Sequence, residues 1–349
     1  MKKQDSVPGL DLDSLTKWIS TNLEKVDELR AELLGKGLSN LTYVIYTDRR
    51  RWVLRRPPLS HVLPTAHDMA REFTVQRALA STPVPVPKMI AFCEDESVIG
   101  CPFYVMEFVE GEVPSDSATF ASNFDETTRA GLSRRLIEVL ASLHAVDYVE
   151  VGLEGFGKPQ GYMQRQVARF VDQLKRSKCR DLPVLDSLAD RLGSAVPSNS
   201  DGTIVHGDYR LDNTIVDPSG DIAAVLDWEL STLGDPLADV GMLSMYWCDP
   251  GDDLFVDAPG VESSLITTLP GFMRKSEALE YYEKLTGRDL SNIAFYEAFA
   301  HFKLAVILEG INKRFLEGGT VGDGFDKVAD MVVRVAERGK EIADASGLL

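Results

Sequence analysis

The chain has 349 residues, a length that fits one large domain or two ordinary domains that share a cleft. Hydrophobic residues make up 44% and charged residues 26% of the sequence, which excludes disordered and collagen-like chains. The net charge of -17 argues against sequence-independent binding to nucleic acid or to an anionic membrane. Any phosphate group that the protein handles must therefore meet local cations or a metal ion.

The sequence offers neither a membrane segment nor a cysteine framework. No stretch approaches the roughly 20 apolar residues of a membrane span, and residues 1–9 lack the apolar core of a signal peptide. The four cysteines are scattered and none belongs to a Cys-x-x-Cys pair, so neither a thiolate zinc site nor a disulfide framework is expected. These features predict a protein of the reducing cytoplasm that binds neither membrane nor nucleic acid.

The N-terminal part of the chain predicts a mixture of helices and strands. Apolar residues follow Leu12 at steps of three and four, which places them on one face of a helix. Two segments rich in β-branched and aromatic residues flank the polar turn 48–50, as in a hairpin. The predicted elements are a helix from Leu12, strands over 41–47 and 51–55, a helix over 65–80 with Met69, Phe73 and Leu79 buried, and strands around 89–94 and 102–108.

A domain boundary is predicted near residue 109, where Gly111, Pro114 and a cluster of Ser, Asp and Thr interrupt the pattern. Beyond it the apolar spacing is mostly helical, except for short runs between 203 and 228 that indicate strands. The sequence therefore predicts an α+β chain with a β-rich N-terminal lobe of residues 1–109 and a larger helical C-terminal lobe of residues 110–349. Helices are predicted around 132–143, 163–174, 291–316 and 325–345.

The most informative motif is HGDYRLDN over residues 206–213, in a loop between two short predicted strands. Protein kinases use H-R-D-x-x-x-x-N in such a loop, where the Asp accepts the proton of the attacking hydroxyl and the Asn holds magnesium. This spacing makes Asp208 the candidate catalytic base and Asn213 a candidate magnesium ligand. The alternative is a turn in which the Asp and Asn side chains bond their own backbone.

A second candidate metal ligand, Asp227, follows the apolar run 222–226. An aspartate at the end of a buried strand can hold a metal ion, and the D-F-G aspartate of kinases follows the catalytic loop in the same order. Alternatively, Asp227 is a turn residue or a helix N-cap. The matched order and spacing of the two loops favour a catalytic set of Asp208, Asn213 and Asp227.

The segment GKGLSN over residues 35–40 is the candidate lid over nucleotide phosphates. It fails as G-x-G-x-x-G because Asn40 stands at the third glycine, and it follows a predicted helix and opens a predicted strand. Backbone N–H groups and a serine hydroxyl would donate to phosphates, so Lys36, Gly37, Ser39 and Asn40 are the candidate nucleotide-binding residues. A flexible hinge between helix and hairpin explains the glycines equally well.

A cation for the phosphates is expected on the second strand of the hairpin. Kinases anchor the ATP phosphates with a strand Lys that is bonded to a helix Glu. Arg55 follows two apolar residues at the place expected for that lysine, and the next predicted helix carries Glu72. The competing interpretation is a solvated basic edge that discourages strand pairing, which we favour for Arg49–Arg51 but not for Arg55.

Together these segments resemble the aminoglycoside phosphotransferase-like kinases, which have a protein-kinase-like bilobal fold. The resemblance runs from about residue 30 to 315, and HGDxxxxN and LDWE are its most specific parts. More narrowly, two of the segments are similar to the kinase-like domains attached to acyl-CoA dehydrogenases, namely WVLRRPP and DWELSTLGDPLADVG. The other matching segments are KGLSN, REF around Glu72, YVMEFVEG and VHGDYRLDN.

The resemblance implies roles for single residues. It implies that Asp239, in the segment after LDWE, is structural and holds the catalytic loop. The sequence departs from the usual family pattern at Arg55, which stands in place of lysine. The other implied roles are a catalytic base at Asp208, magnesium ligands at Asn213 and Asp227, and an adenine hinge over 103–109 with Glu107 and Val109.

We therefore expect a phosphotransferase that uses ATP and Mg²⁺ as cofactors and phosphorylates a hydroxyl of a small molecule. Nothing after Asp227 resembles a long activation segment with an A-P-E end, which disfavours a protein substrate. Two alternatives stay open. One is a non-catalytic nucleotide-binding module, as the arginine at position 55 warns, and the other is a metal-dependent phosphoesterase, for which further histidine ligands would be usual.

The acceptor is expected to be an apolar or anionic alcohol, such as a hydroxyacyl compound, rather than an aminoglycoside. A polycationic antibiotic calls for clustered carboxylates around the base, whereas the C-terminal segments that should wall the acceptor mix aromatic and basic residues. For any single aromatic residue in these segments, packing between helices is an equally good explanation. The mixed residues are Tyr246, Trp247, Phe272, Met273, Phe295, Tyr296, Phe299 and Phe302 with Arg274, Lys275, Lys303, Lys313 and Arg314.

Overall fold

A computed structural model describes residues 7–34, 40–59, 68–197, 201–256, 258, 260–319 and 325–347. The chain forms two compact units. The first consists of the residues up to Glu110 together with Ala224–Glu229, and the second of Gly111–Ala223 together with the residues from Leu230 onward. No helix in these described ranges is both long and apolar enough to cross a membrane.

The first unit is built on an antiparallel sheet. Its elements are helix α1 (Leu12–Asn22), strands β1 (Arg30–Leu34), β2 (Leu41–Tyr46) and β3 (Arg51–Arg56), helix α2 (Met69–Leu79), and strands β4 (Met89–Cys93) and β5 (Phe103–Glu107). The strands lie in the order β1-β2-β3-β5-β4. Successive side chains of β3 face two cores: Leu54 packs with α1, and Val53 packs with α2. The same alternation directs Arg55, which pairs with Tyr104 in register, toward α2.

Helix α2 buries a charged residue in the middle of its packed face. Asp68 caps the helix, because its carboxylate accepts hydrogen bonds from the backbone N–H groups of Ala70 and Arg71 at 3.0 and 3.1 Å. The buried positions then recur at helical spacing and include a fully buried glutamate. They are Met69, Glu72, Val75, Gln76 and Leu79.

The second unit is mostly helical. Its described helices are α3 (Ser117–Asn123), α4 (Glu126–Ala145), α5 (Tyr162–Ser177), α6 (Pro183–Ser194), α7 (Pro236–Tyr246), α8 (Lys275–Thr286), α9 (Ile293–Leu316) and α10 (Val328–Ala345). Helix α9 lies at the centre of the core and packs against α5, α6, α7 and α10. This packing fixes α7 and α9, and a side chain from each of these helices contacts the loop that carries Asp208.

Four short strands accompany these helices: β6 (Thr203–Val205), β7 (Thr214–Val216), β8 (Ile222–Val225) and β9 (Thr232–Gly234). Strand β6 pairs with β9 in antiparallel fashion, and β7 pairs with β8. Strand β8 continues from the second unit into the first after Ala223. The HGDYRLDN segment therefore connects β6 to β7, and Asp227 follows β8.

The structure confirms the predicted helix from Leu12, the hairpin, the two later strands and the helices of the C-terminal part. It also confirms an α+β chain in which strands dominate the N-terminal part and helices the C-terminal part. Residues 65–67 of the predicted second helix lie outside the described residues, and the helix begins at Met69 after its N-cap, Asp68. One detail is wrong: Phe73 is only partly buried, because the packed face runs through Glu72 and Gln76.

Strand β1 is absent from the sequence prediction. Its residues RAELL include good helix formers, and all of them are exposed or half-buried. The pairing with β2, from Arg30 opposite Tyr46 to Leu34 opposite Thr42, makes this segment an edge strand. The candidate lid thus follows a strand and not, as predicted, a helix.

Candidate active site

Arg55 of β3 contacts two carboxylates in the first unit. Its Nη1 atom lies 3.6 Å from Oε2 of Glu72, and its Nη2 atom donates a hydrogen bond of 3.0 Å to Oδ1 of Asp227. Burial alone would lower the pKa of Arg55, but Tyr104, Glu72 and Asp227 outweigh it and raise the pKa above the ordinary value. The arginine therefore stays charged between two acidic side chains.

Glu72 is held by neutral donors as well as by Arg55. Its Oε1 atom accepts a hydrogen bond of 2.6 Å from Nδ2 of Asn40, and its Oε2 atom accepts one of 2.8 Å from the hydroxyl of Tyr104. Burial raises the pKa of Glu72 above its ordinary value, against the opposing effects of Arg55, Tyr104 and Asn40. These contacts fix the glutamate on α2.

Asp227 has an unusual backbone conformation. Its φ of 63° lies in the left-handed region, and no other non-glycine residue in the described ranges has a positive φ. Its side chain is 31% exposed, and its second oxygen, Oδ2, accepts no hydrogen bond from any described residue. One carboxylate oxygen is thus held by Arg55, and the other is available to a ligand.

The residues predicted to bind the rest of the nucleotide are only partly described. Lys36, Gly37 and Ser39 lie outside the described residues. Asn40 is described, and it contacts Glu72 and, at 3.3 Å, Glu229. Its buried Oδ1 atom has no partner among the described residues.

The segment predicted as the adenine hinge lies at the end of β5. Glu107 is the last residue of that strand, and its backbone N–H donates a hydrogen bond of 2.9 Å to the carbonyl of Lys88. Val109 follows outside the strand, and its backbone makes no hydrogen bond to the described part of the chain. A donor and an acceptor of the main chain are therefore available at Val109.

In the second unit, Asp239 holds the backbone of the HGDYRLDN loop. Its two carboxylate oxygens accept hydrogen bonds from the backbone N–H groups of His206 at 2.6 Å and Gly207 at 2.7 Å. Nε2 of His144 lies 3.3 Å from the same carboxylate. Burial alone would raise the pKa of Asp239, but His144 and His206 outweigh it and lower the pKa.

Gly207 is required by the shape of this loop. Its φ is 85°, and a Cβ atom there would lie 2.8 Å from the backbone oxygen of Leu230. Nζ of Lys303, on α9, donates a hydrogen bond of 2.7 Å to the Gly207 carbonyl. The backbone that leads into Asp208 is therefore held by α7 on its N–H side and by α9 on its carbonyl side.

Asp208 and Asn213 contact each other directly. Nδ2 of Asn213 donates to the backbone oxygen of Asp208 at 2.8 Å and to its Oδ2 atom at 3.0 Å. Nε of Arg210 lies 3.5 Å from the same Oδ2 atom. Neither Oδ1 of Asp208 nor Oδ1 of Asn213 accepts a hydrogen bond from any residue in the described ranges. Both oxygens are thus available to ligands.

Two cations lie near Asp208: Arg210, which belongs to the motif, and Lys303, which was predicted on the acceptor side. Arg210 lies 3.1 Å from Oδ1 of Asp212, and its guanidinium is 4.7 Å from the ring centre of Tyr246. Burial lowers the pKa of Lys303; Asp208 raises it, and the nearby charges of Arg169 and Arg210 lower it further. Arg210 could have been found from its place inside the motif. Lys303 was predicted on the acceptor side, but nothing local in the sequence connects it to the Gly207 carbonyl.

The aromatic residues expected to wall the acceptor divide between two environments. Phe272 and Met273 are half-buried. The others lie in the interior of the second unit, so the helix-packing interpretation is the correct one for them. They are Tyr246, Trp247, Phe295, Tyr296, Phe299 and Phe302.

The sequence model of the phosphotransferase enzyme family (APH) matches residues 30–270. Acyl-CoA dehydrogenase family member 10 of Mus musculus is 35% identical over 339 residues, which cover 96% of this chain and 31% of that protein. Acyl-CoA dehydrogenase family member 11 of Homo sapiens is 34% identical over 311 residues, which cover 88% of this chain and 39% of that protein. The chain thus spans about a third of the length of these curated relatives.

Solved structures show the same fold. A proposed aminoglycoside phosphotransferase of Ralstonia eutropha JMP134 is 36% identical, with a TM-score of 0.76 over 95% of this chain and 98% of that chain. A thermostable mutant of aminoglycoside phosphotransferase APH(4)-Ia, in complex with AMP-PNP and hygromycin B, has a TM-score of 0.60. It is 17% identical and covers 96% of this chain and 99% of that one, a likeness that shows the fold alone. The chain therefore belongs to the phosphotransferase enzyme family and has its protein-kinase-like α+β fold.

Proposed function

We propose that the protein transfers the γ-phosphoryl group of ATP to a hydroxyl of a small molecule. The family and the fold support small-molecule phosphotransferase activity. The observation that carries the proposal is the carboxylate of Asp208, whose Oδ2 atom is held by Asn213 and Arg210 while Oδ1 has no partner among the described residues. That oxygen accepts the proton of the acceptor hydroxyl as the hydroxyl oxygen bonds to the γ-phosphorus, while the bond from the γ-phosphorus to the bridging oxygen breaks and ADP leaves.

The oxygens of Asn213 and Asp227 suit a magnesium ion. Mg²⁺ prefers carboxylate and carbonyl oxygens, and each side chain has one oxygen that no described residue occupies. Asn213 is oriented because its Nδ2 atom donates a hydrogen bond to the backbone oxygen of Asp208. Asp227 is oriented because its Oδ1 atom accepts a hydrogen bond from Arg55. When bound, the ion neutralises charge on the phosphates of the nucleotide.

The remaining predicted residues complete the nucleotide site in this proposal. Glu107 and Val109 meet adenine, with the backbone of Val109 as the hydrogen-bonding partner. Arg55 and Glu72 lie on the phosphate side, where Arg55 contributes positive charge. The phosphates are covered by the candidate lid, with Lys36, Gly37, Ser39 and Asn40. We also propose that the protein is cytoplasmic, because its four cysteines are all free.

We propose a hydroxyacyl compound, not an aminoglycoside, as the acceptor. Lys303 and Arg210 place positive charge near Asp208 in a chain whose net charge is -17. Such surroundings repel a polycationic antibiotic and attract an acidic alcohol. The names of the relatives, acyl-CoA dehydrogenase family members 10 and 11, point to acyl chemistry in the longer proteins.

The test follows the phosphate of ATP. The protein is incubated with γ-labelled ATP and Mg²⁺ beside hydroxy acids, their coenzyme A thioesters and kanamycin-type antibiotics. We expect label on a hydroxyacyl compound. Label in water alone supports a phosphoesterase, nucleotide binding without any transfer supports a non-catalytic module, and label on the antibiotics contradicts the acceptor that we propose.

A further inference from the structure

Arg55 stands where kinases carry a phosphate-binding lysine, yet its guanidinium is already engaged by the protein. One terminal nitrogen faces Glu72 at 3.6 Å and the other donates to Asp227 at 3.0 Å. The Nε atom is buried and has no partner among the described residues. The side chain is 10% exposed, so little of its polar surface is available to a phosphate group.

Asp227, which accepts the hydrogen bond from Arg55, depends on that contact for its orientation. The left-handed φ of 63° at Asp227 is unfavourable for a residue with a Cβ atom. Within the described ranges, Arg55 is the residue that donates a side-chain hydrogen bond to its carboxylate. Without that donor, the partly exposed carboxylate would be free to rotate.

Glu72 gives Arg55 a rigid anchor. Asn40 and Tyr104 donate to its two oxygens at 2.6 and 2.8 Å, and the residue is fully buried on α2. The guanidinium therefore extends from a buried carboxylate on a helix to a partly exposed one that follows a strand. A planar guanidinium presents separate N–H groups in two directions, whereas a lysine presents one nitrogen.

We propose that Arg55 is a positioning residue for the metal site: it fixes Oδ1 of Asp227 against Glu72 and so presents Oδ2 to Mg²⁺. The inference rests on the proposed function, because it takes Asp227 as a magnesium ligand. The inferred role of Arg55 differs in one respect from the phosphate-side role that it has in the proposed function. The main effect of Arg55 is on the affinity for the metal, and its direct contact with the phosphates is secondary.

Two effects oppose each other when Arg55 is replaced. Loss of the hydrogen bond frees the Asp227 carboxylate, which weakens metal binding, and loss of a nearby positive charge strengthens it. Removing the partners of metal ligands typically changes metal affinity about 10- to 100-fold. Asp227 is 31% exposed, so water screens the repulsion between arginine and metal. We expect the loss of orientation to dominate.

The decisive variant is Arg55→Lys, because lysine keeps the charge and is the residue that kinases use on the phosphates. Mn²⁺ binding is measured by electron paramagnetic resonance in the presence of ADP, and ADP affinity is measured separately in EDTA. We expect Mn²⁺ to bind about 10-fold more weakly or worse, with ADP affinity in EDTA unchanged. Unchanged or tighter Mn²⁺ binding overturns the inference, as does a loss confined to ADP affinity in EDTA.

Two further variants serve as controls for this measurement. Arg50→Lys changes an exposed arginine that pairs with Glu24 at 3.2 Å, and it should leave both affinities unchanged. The double variant Arg55→Met/Glu72→Gln avoids leaving Glu72 as an uncompensated buried charge, and it should weaken Mn²⁺ binding as Arg55→Lys does. Wild-type Mn²⁺ affinity in a folded double variant contradicts the role of Arg55.

A crystal structure of Arg55→Lys separates failure of the inference from failure of the proposed function. We expect the Asp227 carboxylate to leave its position. An unchanged orientation of that carboxylate overturns the inference even if the wild-type protein is an active kinase. If the wild-type protein binds no nucleotide, the proposed function fails, and the conformation of Asp227 still decides whether Arg55 positions it.

Discussion

The cluster around Arg55 and the loop around Asp208 hold their functional carboxylates by different means. In the first unit, the charged side chain of Arg55 holds Asp227, so the carboxylate depends on a side chain. In the second unit, Asp239 accepts hydrogen bonds from two successive backbone N–H groups, so the buried carboxylate holds the main chain itself. One arrangement orients a single side chain, and the other fixes a loop.

This difference predicts how each region responds to change. A backbone held by a buried acceptor has no alternative conformation that satisfies its N–H groups without water, so losing the acceptor affects the whole loop. A side chain held by another side chain can lose its orientation while the fold around it survives. Substitutions around Asp208 should therefore affect rate and stability strongly, whereas those around Asp227 should affect ligand affinity.

The largest effect is expected from Asp208→Asn. The variant keeps the shape of the side chain but cannot accept the proton of the acceptor hydroxyl, so turnover should fall about 10²- to 10⁴-fold. Affinity for ATP, measured by calorimetry, should not change because the base contacts the acceptor. Asp186→Asn, which alters a half-exposed aspartate paired with Lys178, is the control and should keep wild-type turnover. Wild-type turnover in Asp208→Asn would remove this residue from the mechanism.

Asp239→Asn should produce the largest loss of stability. The amide offers one acceptor where two backbone N–H groups need acceptors, so the free energy of unfolding should fall by about 3 kcal/mol. Asp217→Asn is the matched control. That aspartate also accepts from backbone N–H groups, of Ser219 at 2.8 Å and Asp221 at 3.1 Å, but in an exposed turn. Urea unfolding of both variants measures the difference, and equal losses would show that burial of Asp239 adds nothing.

Gly207→Ala and Gly152→Ala separate steric conflict from backbone preference. Both glycines have positive φ, 85° and 77°, but a Cβ atom would meet Leu230 only at Gly207, since nothing lies within 4 Å at Gly152. We expect Gly152→Ala to lower the free energy of unfolding by about 1–2 kcal/mol, and Gly207→Ala to lower it further and to reduce turnover. Thermal unfolding with activity measurements tests this, and identical behaviour would contradict the close approach.

The smallest expected effect concerns the pH dependence of stability, which should have opposite signs for Glu72 and Asp239. Burial raises the pKa of Glu72, so its contribution to stability is lost as the pH rises through the raised value and grows as the pH falls. Although burial alone would raise the pKa of Asp239, its donors lower it, so its contribution is lost only as the pH falls below the ordinary value of about 3.9.

Unfolding measured between about pH 7 and pH 4 should show this contrast, since the ordinary pKa of Glu is about 4.3. The stability of the wild-type protein relative to Glu72→Gln should increase as the pH falls. Its stability relative to Asp239→Asn should stay constant and decrease only at lower pH. The same sign for both differences would show that the two carboxylates experience similar surroundings.

The sequence was most informative where neighbouring residues act together. The HGDYRLDN segment carries Asp208 and Asn213 on one turn, and the structure joins them by two hydrogen bonds, at 2.8 and 3.0 Å. The pattern of apolar residues located the helices because helical periodicity is a local property. Strand β1 was missed because an edge strand is defined by its partner, and its own residues are as suited to a helix.

The sequence by itself determined the family, the division into a strand-rich N-terminal part and a helical C-terminal part, and the candidate base and metal ligands. Only the tertiary structure decided what those residues contact. Lys303 reaches the carbonyl of Gly207 from 96 residues away, and Arg55 reaches Asp227 across 172 residues. Such contacts depend on how α9 and β3 pack, and no local pattern of residues encodes the distance between two segments that are remote in the chain.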